Sequence, residues 1–517
     1  MPSLNIVVRG GNNNNMSDLL SLFNRKQVNI PPHAPRKPKY PEAISAKALK
    51  NIFDDCSDFQ IREISPALIG EPLAVCWLDG VVDGGAVATE IIRPLTELIR
   101  AGAEPGTERI MQGAIYSAQA KERNDLDSLV DDITQACCAV IIGASAVTFE
   151  IRTKNQRSIS EPTIEKSLKG GKDSFVETLR TNTALIRRRI CNPALKLKSS
   201  TIGRKSETRC AIMYVDGVAD PATVAELEAR LDAIDIDGLL ATGSIEEYIV
   251  DNPRSPFPQI LHTERPDRFA KQLLNGRVGL IVDSLPIAFM LPASFSDFMH
   301  VPQDDSQHFV VSSAISIVRW LALILALALP AFYVAVAMYH QEMIPTKLLM
   351  SVIQSKQDVP FSTALEVLGM LVAFELLQEA GLRLPNPIGD TVSIIGALIV
   401  GQSAVDAKVI SPIAVIVVAF GGISGFAMPS QDLGSAVRIA RFLLVLAAIG
   451  AGLFGVAVFL CLIVWHLCGI DSFGINYTAP LSGGRRHSLV RTVLNPPKPK
   501  NKFRDPELNT PDKRRQN

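Results

Sequence analysis

WLALILALALPAFYVAVAM, residues 320–338, is the stretch that decides the architecture: nineteen residues without one charged side chain. At about 1.5 Å of rise per residue, a helix of this length just spans a hydrocarbon layer of about 30 Å. Apolar stretches follow at 410–428 and 439–468, and a less uniform one at 361–405 carries Glu366, Glu375, Glu379 and Arg383. Residues 316–470 therefore read as a helical transmembrane domain. Of 517 residues 20% are charged, and the mean hydropathy is +0.20, too polar for a pure transporter and too apolar for a soluble protein.

The residues before this domain suffice for two soluble domains with their own cores. The opening MPSLNIVVRGGNNNNMSDLL lacks the apolar core of a signal peptide, so the first half is expected to stay in the cytoplasm. Residues 1–45, with Asn12–Asn15 and the prolines between Pro31 and Pro41, read as a disordered tail.

A net charge of zero hides a segregation: residues 151–209 hold fifteen Lys and Arg against five acids, and residues 211–310 hold sixteen acids against six bases. These stretches are expected to attract one another, within the chain or between subunits. The tail 471–517 is basic and Pro-rich and is expected inside, as a solvated tail that fixes topology or as a lipid-headgroup contact. Both ends inside require an even number of crossings. Four, with Thr391–Val405 entering partway, leaves Arg438 and Arg441 on the outer side; six, with 439–468 split at its glycines, also keeps the parity.

The soluble half repeats itself. AVCWLDGVVDGGAVATEIIRPLTEL from Ala74 matches AIMYVDGVADPATVAELEARLDAI from Ala211 at an offset of 137 residues. Each copy reads as a strand, an Asp-Gly turn (Asp79-Gly80, Asp216-Gly217) and a helix capped by Asp83 or Asp220. CAVIIGASAVTFEI from Cys138 corresponds to VGLIVDSLPIAFML from Val278, each as two strands around a turn. Two related cytoplasmic α/β modules result, 46–155 and 209–315, joined by a basic helical linker, 156–208.

Chemistry is not written in these modules. No GxxxxGK[ST], GxGxxG or HExxH occurs, and the eight cysteines show no CxxC spacing and read as small buried hydrophobes. No enzyme activity, cofactor, metal site or nucleic-acid contact is expected.

The membrane half is more specific, because an ionisable group there needs a reason. On one helix Glu375 and Glu379 share a face that Arg383 continues, while Glu366, nine residues before Glu375, points the opposite way. Either this helix lines an aqueous path for cations, or Glu379 and Arg383 form an interfacial salt bridge. Gly396 with Gly401, and Gly421 with Gly425, lie at helix-packing spacing.

FVETLRTNTALIRRRI (175–190), PQILHTERPD (258–267), NGRVGLIVDSLPIAFMLP (275–292), LPAFYVAVAMYHQEMIPTKLL (329–349), the string from Glu379 to Pro412 and RIARF (438–442) together resemble one family. It is the GerA family, the A subunits of bacterial spore germinant receptors. The similarity runs from about residue 50 to 485; residues 168–175 depart from it, lacking the proline of the family's basic run. The resemblance implies a multi-pass protein of the spore inner membrane, working with a permease-like B subunit and a lipoprotein C subunit. It implies homo-oligomerisation into a ligand-gated cation channel, for which the charged positions read above, Glu366, Glu375, Glu379 and Arg383, are the candidates for ion path and gating. A scaffold of the germination or dipicolinate-release machinery and a secondary transporter are the alternatives.

Overall fold

The computed structural model describes residues 39–64, 73–102, 106–115, 119–153, 162, 165, 170–239, 242–383, 401–482 and 492–516. The disorder expected for 1–45 falls outside them up to residue 38. Residues 39–45 are tied down: the Lys39 and Tyr40 amides donate to the Asp127 carboxylate, and Ser45 caps the first helix.

The first module comprises α1 (Ala46–Ile52), β1 (Phe59–Ile64), β2 (Leu73–Leu78), α2 (residues 84–100, with a π-helical turn at Val87–Ile92), β3 (Ala120–Arg123), α3 (Leu126–Thr134), β4 (Cys137–Ile142) and β5 (Ser145–Glu150). The sheet order is β1-β2-β4-β5-β3, with every pair antiparallel. Its central strands, LAVCWL and CCAVII, are apolar almost throughout because both their faces are covered; edge strand β1, FQIREI, alternates.

After α4 (Leu179–Arg189) the second module repeats the plan: β6 (Leu195–Ile202), β7 (Thr208–Val215), α5 (Pro221–Asp232), α6 (Thr242–Ile249), β8 (Leu261–Thr263), α7 (Pro266–Asn275), β9 (Val278–Val282) and β10 (Ala288–Leu291). Its order, β6-β7-β9-β10-β8, is that of the first sheet strand for strand. The duplication is thus larger than the two matching strings, since the edge strands and the helix before the fourth strand recur without matching sequence. Asp83 and Asp220 cap their helices as the spacing predicts, and Gly80 and Gly217 hold the positive φ of the turn between strand and helix. One boundary moves. Strand β6 lies inside the stretch 156–208 read as a linker, and it pairs with β7 from Leu195 to Ile202. Its alternation of Lys and Leu, correct for an edge strand, was hidden among the basic residues.

The modules dock edge to edge. Leu197 of β6 bridges to Cys56, the Ser57 hydroxyl donates to the Leu197 carbonyl at 2.9 Å, and the Lys196 ammonium donates to the Ile52 and Asp54 carbonyls. Basic side chains from 151–209 meet acids of both modules, in Arg187–Asp58, Arg180–Asp79, Lys198–Glu228 and Arg204–Asp235. Cys56, Cys76, Cys138 and Cys210 are buried as expected, and burial pushes the Cys76 thiol up to about 12; Cys191, Cys461 and Cys468 are exposed instead.

The helical unit holds α8 (Phe309–Tyr339), α9 (Thr346–Lys356), α10 (Thr363–Arg383), α11 (Pro412–Phe426) and α12 (Gln431–Cys468). Two helices, Phe309–Tyr339 and Gln431–Cys468, are long and apolar enough to cross a membrane; α11, with 15 residues, is shorter. Helix α12 is not straight. At Ala451 and Gly452 (φ +60°, ψ −141°) the backbone leaves the helix and the chain folds back. At the tip Gly452 packs on Tyr339, whose hydroxyl donates to the Ile449 carbonyl. At the base Asp432 lies 3.2 Å from His262, and His466 bonds Ser255 at 2.9 Å, so both ends of the segment rest on the second module. Gly455 is required where the arms meet, because a Cβ there would stand 2.2 Å from the Ala447 carbonyl oxygen.

The tail does not simply trail away from this base. After α12, β11 (Asp471–Ser472) and β12 (Ile475–Asn476) pack on the second module, where the Ala293 amide donates to Ser472 Oγ and Tyr477 is buried against Phe295 and Phe298. Farther on, Asn495 bonds Ser312 and Ser313, and Arg504 donates to the Leu274 carbonyl. Buried Tyr477, ahead of the basic residues, and Leu508, among them, hold the segment down.

Candidate functional site

The carboxylates singled out from the sequence lie on α10, whose Val367 and Leu371 pack with Val334 of α8, Val418 of α11 and Leu444 of α12 in one apolar cluster. Glu366 enters this interior. It is 2% exposed; its Oε2 accepts from the Ser411 amide at 2.8 Å, and its Oε1 lies 3.2 Å from Lys356 Nζ. The ammonium sits there without a hydrogen bond aligned on Oε1, and it donates instead to Thr363 Oγ1. Two carboxylate lone pairs taken from water need such partners, since an unpaired buried charge costs several kcal/mol, on the order of 3–5 when one partner of a buried pair is removed.

Glu375 is placed differently. Half-exposed, it accepts from Arg438 Nη1 of the first α12 arm at 2.8 Å, and the same guanidinium reaches Gln378 Oε1 at 2.9 Å and Ser435 Oγ at 2.8 Å. Glu379 lies one turn on, at the exposed surface. The opposed directions of Glu366 and Glu375 follow from their spacing on a helix of 3.6 residues per turn. The side chain of Arg383 and all of Gly396 lie outside the described residues, so the Glu379–Arg383 pairing does too.

Sequence reasoning missed the partners. Lys356 ends α9, across a turn from Glu366, and Arg438 and Ser411 come from helices far along the chain; no local spacing announces them. Arg438 did carry a signal, as a charge on the wrong side in a four-crossing count. With α12 folded back, Arg438 lies near the base of the hairpin, toward the second module.

The glycines divide. Gly421 packs on Pro330 of α8, with a would-be Cβ 3.0 Å from Cγ, and the adjacent Gly422 admits the Phe374 ring, which would come within 2.5 Å. Gly425 faces open space, and a Cβ on Gly401 would make only ordinary contact with Val415 at 3.8 Å. The Gly421–Gly425 spacing therefore works through its first member and Gly422. Asp358 and Lys408 pair at 2.5 Å on exposed turns.

A second polar cluster stands where the second module meets the hairpin. His262 Nδ1 lies 3.2 Å from Asp432 Oδ2 and 3.9 Å from Glu246 Oε1. Burial, then the Asp432 charge, pushes the Glu246 carboxyl up to about 7. Among the described residues no group of three or more His, Cys, Asp or Glu could hold a metal ion.

Known proteins give this arrangement a context. A family model described as "Bacillus/Clostridium GerA spore germination protein" matches residues 47–507. Spore germination protein KA of Bacillus subtilis (strain 168) is 36% identical over 467 residues, covering 87% of this chain and 85% of its own length. Spore germination protein A1 of the same organism is 37% identical over 388 residues, covering 74% of this chain and 80% of its own, and the uncharacterized membrane protein YfkQ is 35% identical, covering 86% of each. The crystal structure of the N-terminal domain of the A subunit of the Bacillus megaterium spore germinant receptor GerK3 covers 48% of this chain and 93% of its own, at 29% identity and a TM-score of 0.38.

Proposed function

The chain belongs to the GerA spore germination protein family, not to an enzyme family, and from that premise we propose that it is the membrane subunit of a nutrient receptor that triggers spore germination, in the spore inner membrane. Its helical unit oligomerises and passes cations when a ligand binds elsewhere in the complex. A permease-like B subunit and a lipoprotein C subunit are its partners, and lipid surrounds its apolar faces.

The observation that carries this reading is the pairing of acid and base on the helices of an apolar bundle, Glu366 with Lys356 in its interior and Glu375 with Arg438 at its surface. Ionised groups in such a setting are retained where water, ions or a moving partner reach them. Glu375 and Glu379 face outward from α10, where a second copy of the chain brings its own bundle, and Glu366 marks a second polar level deeper in the bundle. In this conformation Glu366 is sealed, which is the shut state. Ligand binding opens the path by favouring the state in which these contacts are exchanged.

The hairpin favours six crossings over four. With α12 folded at Gly452, the tail and the second module share one side, the cytoplasmic one, and Arg438 lies toward that side as the charge rule requires. The soluble repeats, docked on each other and on the hairpin base, transmit and hold the assembly.

The test is reconstitution of the receptor in vesicles with a cation-sensitive dye. Ligand-dependent flux that falls in E375Q and E366Q at unchanged protein level supports the conduit. Flux absent from the intact complex, with loss of the B and C subunits from the membrane on deletion of this chain, would make it a scaffold.

A further inference from the structure

Three oxygens in the helical unit have no hydrogen-bond partner although they are shut away from water: Glu366 Oε1, Ser411 Oγ and Tyr333 Oη. They belong together. Ser411 is fully buried and gives its amide to Glu366, and the Tyr333 hydroxyl stands beside that of Ser411, within the field of the Glu366 carboxylate but without a well-aligned bond to either. Buried polar atoms are almost always satisfied, so three orphans around one carboxylate point to an occupant.

The oxygens set the occupant's chemistry. A carboxylate, an alcohol and a phenol are hard donors that suit a hard cation and not a soft metal. With one carboxylate and no second acid, the site balances a single positive charge. The nearest such charge is the Lys356 ammonium, 3.2 Å from Glu366 Oε1. Lys356 is a partial fit: its hydrogen bond goes to Thr363, its side chain remains 23% exposed, and it sits in the last turn of α9, on whose surface Leu348, Met350 and Ile353 are more than half exposed. An ammonium held this loosely, beside a carboxylate that requires a counter-charge, is exchangeable.

We propose that Glu366, Ser411 and Tyr333 form a monovalent-cation site and that Lys356 is its tethered occupant, displaced when a free cation enters. One positive charge replaces another, so the interior stays neutral while Lys356 is released and α9 with it. Site occupancy is thereby coupled to the position of α9. This deepens the cation-path reading and rests on it for its role in germination, but the binding event is measurable without any flux.

The experiment is amine labelling of Lys356 in the purified full-length wild-type chain by an N-hydroxysuccinimide ester, read by mass spectrometry. Labelling is compared in potassium chloride and in tetramethylammonium chloride, whose quaternary nitrogen cannot be acylated, at equal ionic strength, with exposed Lys347 as the internal reference. Potassium is expected to raise labelling of Lys356 several-fold and to leave Lys347 unchanged. E366Q is expected to label strongly in both salts, and S411A with Y333F is expected to weaken the potassium response. Equal Lys356 labelling of the wild type in the two salts overturns the site. A second readout uses K356M, whose melting temperature should rise in potassium relative to tetramethylammonium, and K356M/E366Q, whose melting temperature should not. A chain that shows the labelling response but carries no current keeps the site and loses the conduit; one that conducts without the response keeps the conduit and loses the site.

Discussion

Arg187 closes a two-pronged bridge onto Asp58, Nε to Oδ2 and Nη2 to Oδ1, each at 2.7 Å, with the two side chains 2% and 8% exposed. One residue comes from the helix that opens the second repeat and the other from the first repeat, 129 positions earlier. The third guanidinium nitrogen, Nη1, donates to the Leu195 carbonyl at the start of β6, so a single arginine ties module, linker helix and edge strand together. Arginine suits this place because its planar fork matches a carboxylate.

Removing one partner should therefore be worse than removing both. R187A leaves Asp58 buried and uncompensated and should lower stability by about 3 kcal/mol, whereas R187M/D58L should cost markedly less. Urea unfolding of the full chain in detergent measures both; equal losses would show that the pair contributes through packing alone.

The junction between module and hairpin should be pH-dependent. Glu246, normally near 4.5, is held at about 7 in the folded chain by burial and the neighbouring Asp432. Between these values the folded state binds more protons than the unfolded one, so stability is fully present below pH 4.5 and falls as pH rises toward 7 and above. The loss approaches roughly 3 kcal/mol, since each tenfold difference in proton affinity between the two states is worth about 1.4 kcal/mol. Thermal unfolding of wild type and E246Q across this range checks it: the slope should flatten in the variant, and an unchanged slope would assign the effect elsewhere.

Gly452 should tolerate no side chain. Its backbone conformation is one that L residues rarely adopt, and a Cβ there would meet Tyr339 at 3.1 Å. G452A should destabilise by about 1–3 kcal/mol and open the tip to protease, while G425A, at a position with open space, should be neutral.

Glu375 should matter more for flux than for stability. Its pair with Arg438 is half in solvent, so E375Q should cost about 0.5 kcal/mol or less. A conduction defect in a variant of normal melting temperature would separate the two roles, and a large stability loss would mark the pair as structural.

The hairpin makes a topological prediction. A single cysteine at Leu481, by the base, should react with an impermeant maleimide from the opposite side of the membrane to one at Gln341, near the tip. Labelling of both from one side would remove the six-crossing arrangement.

Sequence alone determined what depends on neighbours along the chain. The apolar run at 320–338 placed the helical unit, the Asp-Gly turns and capping aspartates revealed the duplicated modules, and helical periodicity set Glu366 and Glu375 on opposite faces, because each is a property of spacing. Tertiary structure decided what depends on closure. Strand β6 could be distinguished from a linker only by its pairing, the choice between an unbroken 439–468 and one split at its glycines only by the return of His466 to the module that Asp432 had left, and the partners of Glu366 and Glu375 only by the approach of Lys356 and Arg438. Ion pairs act through space over a few ångströms, and a chain brings such groups together only after the bundle has formed.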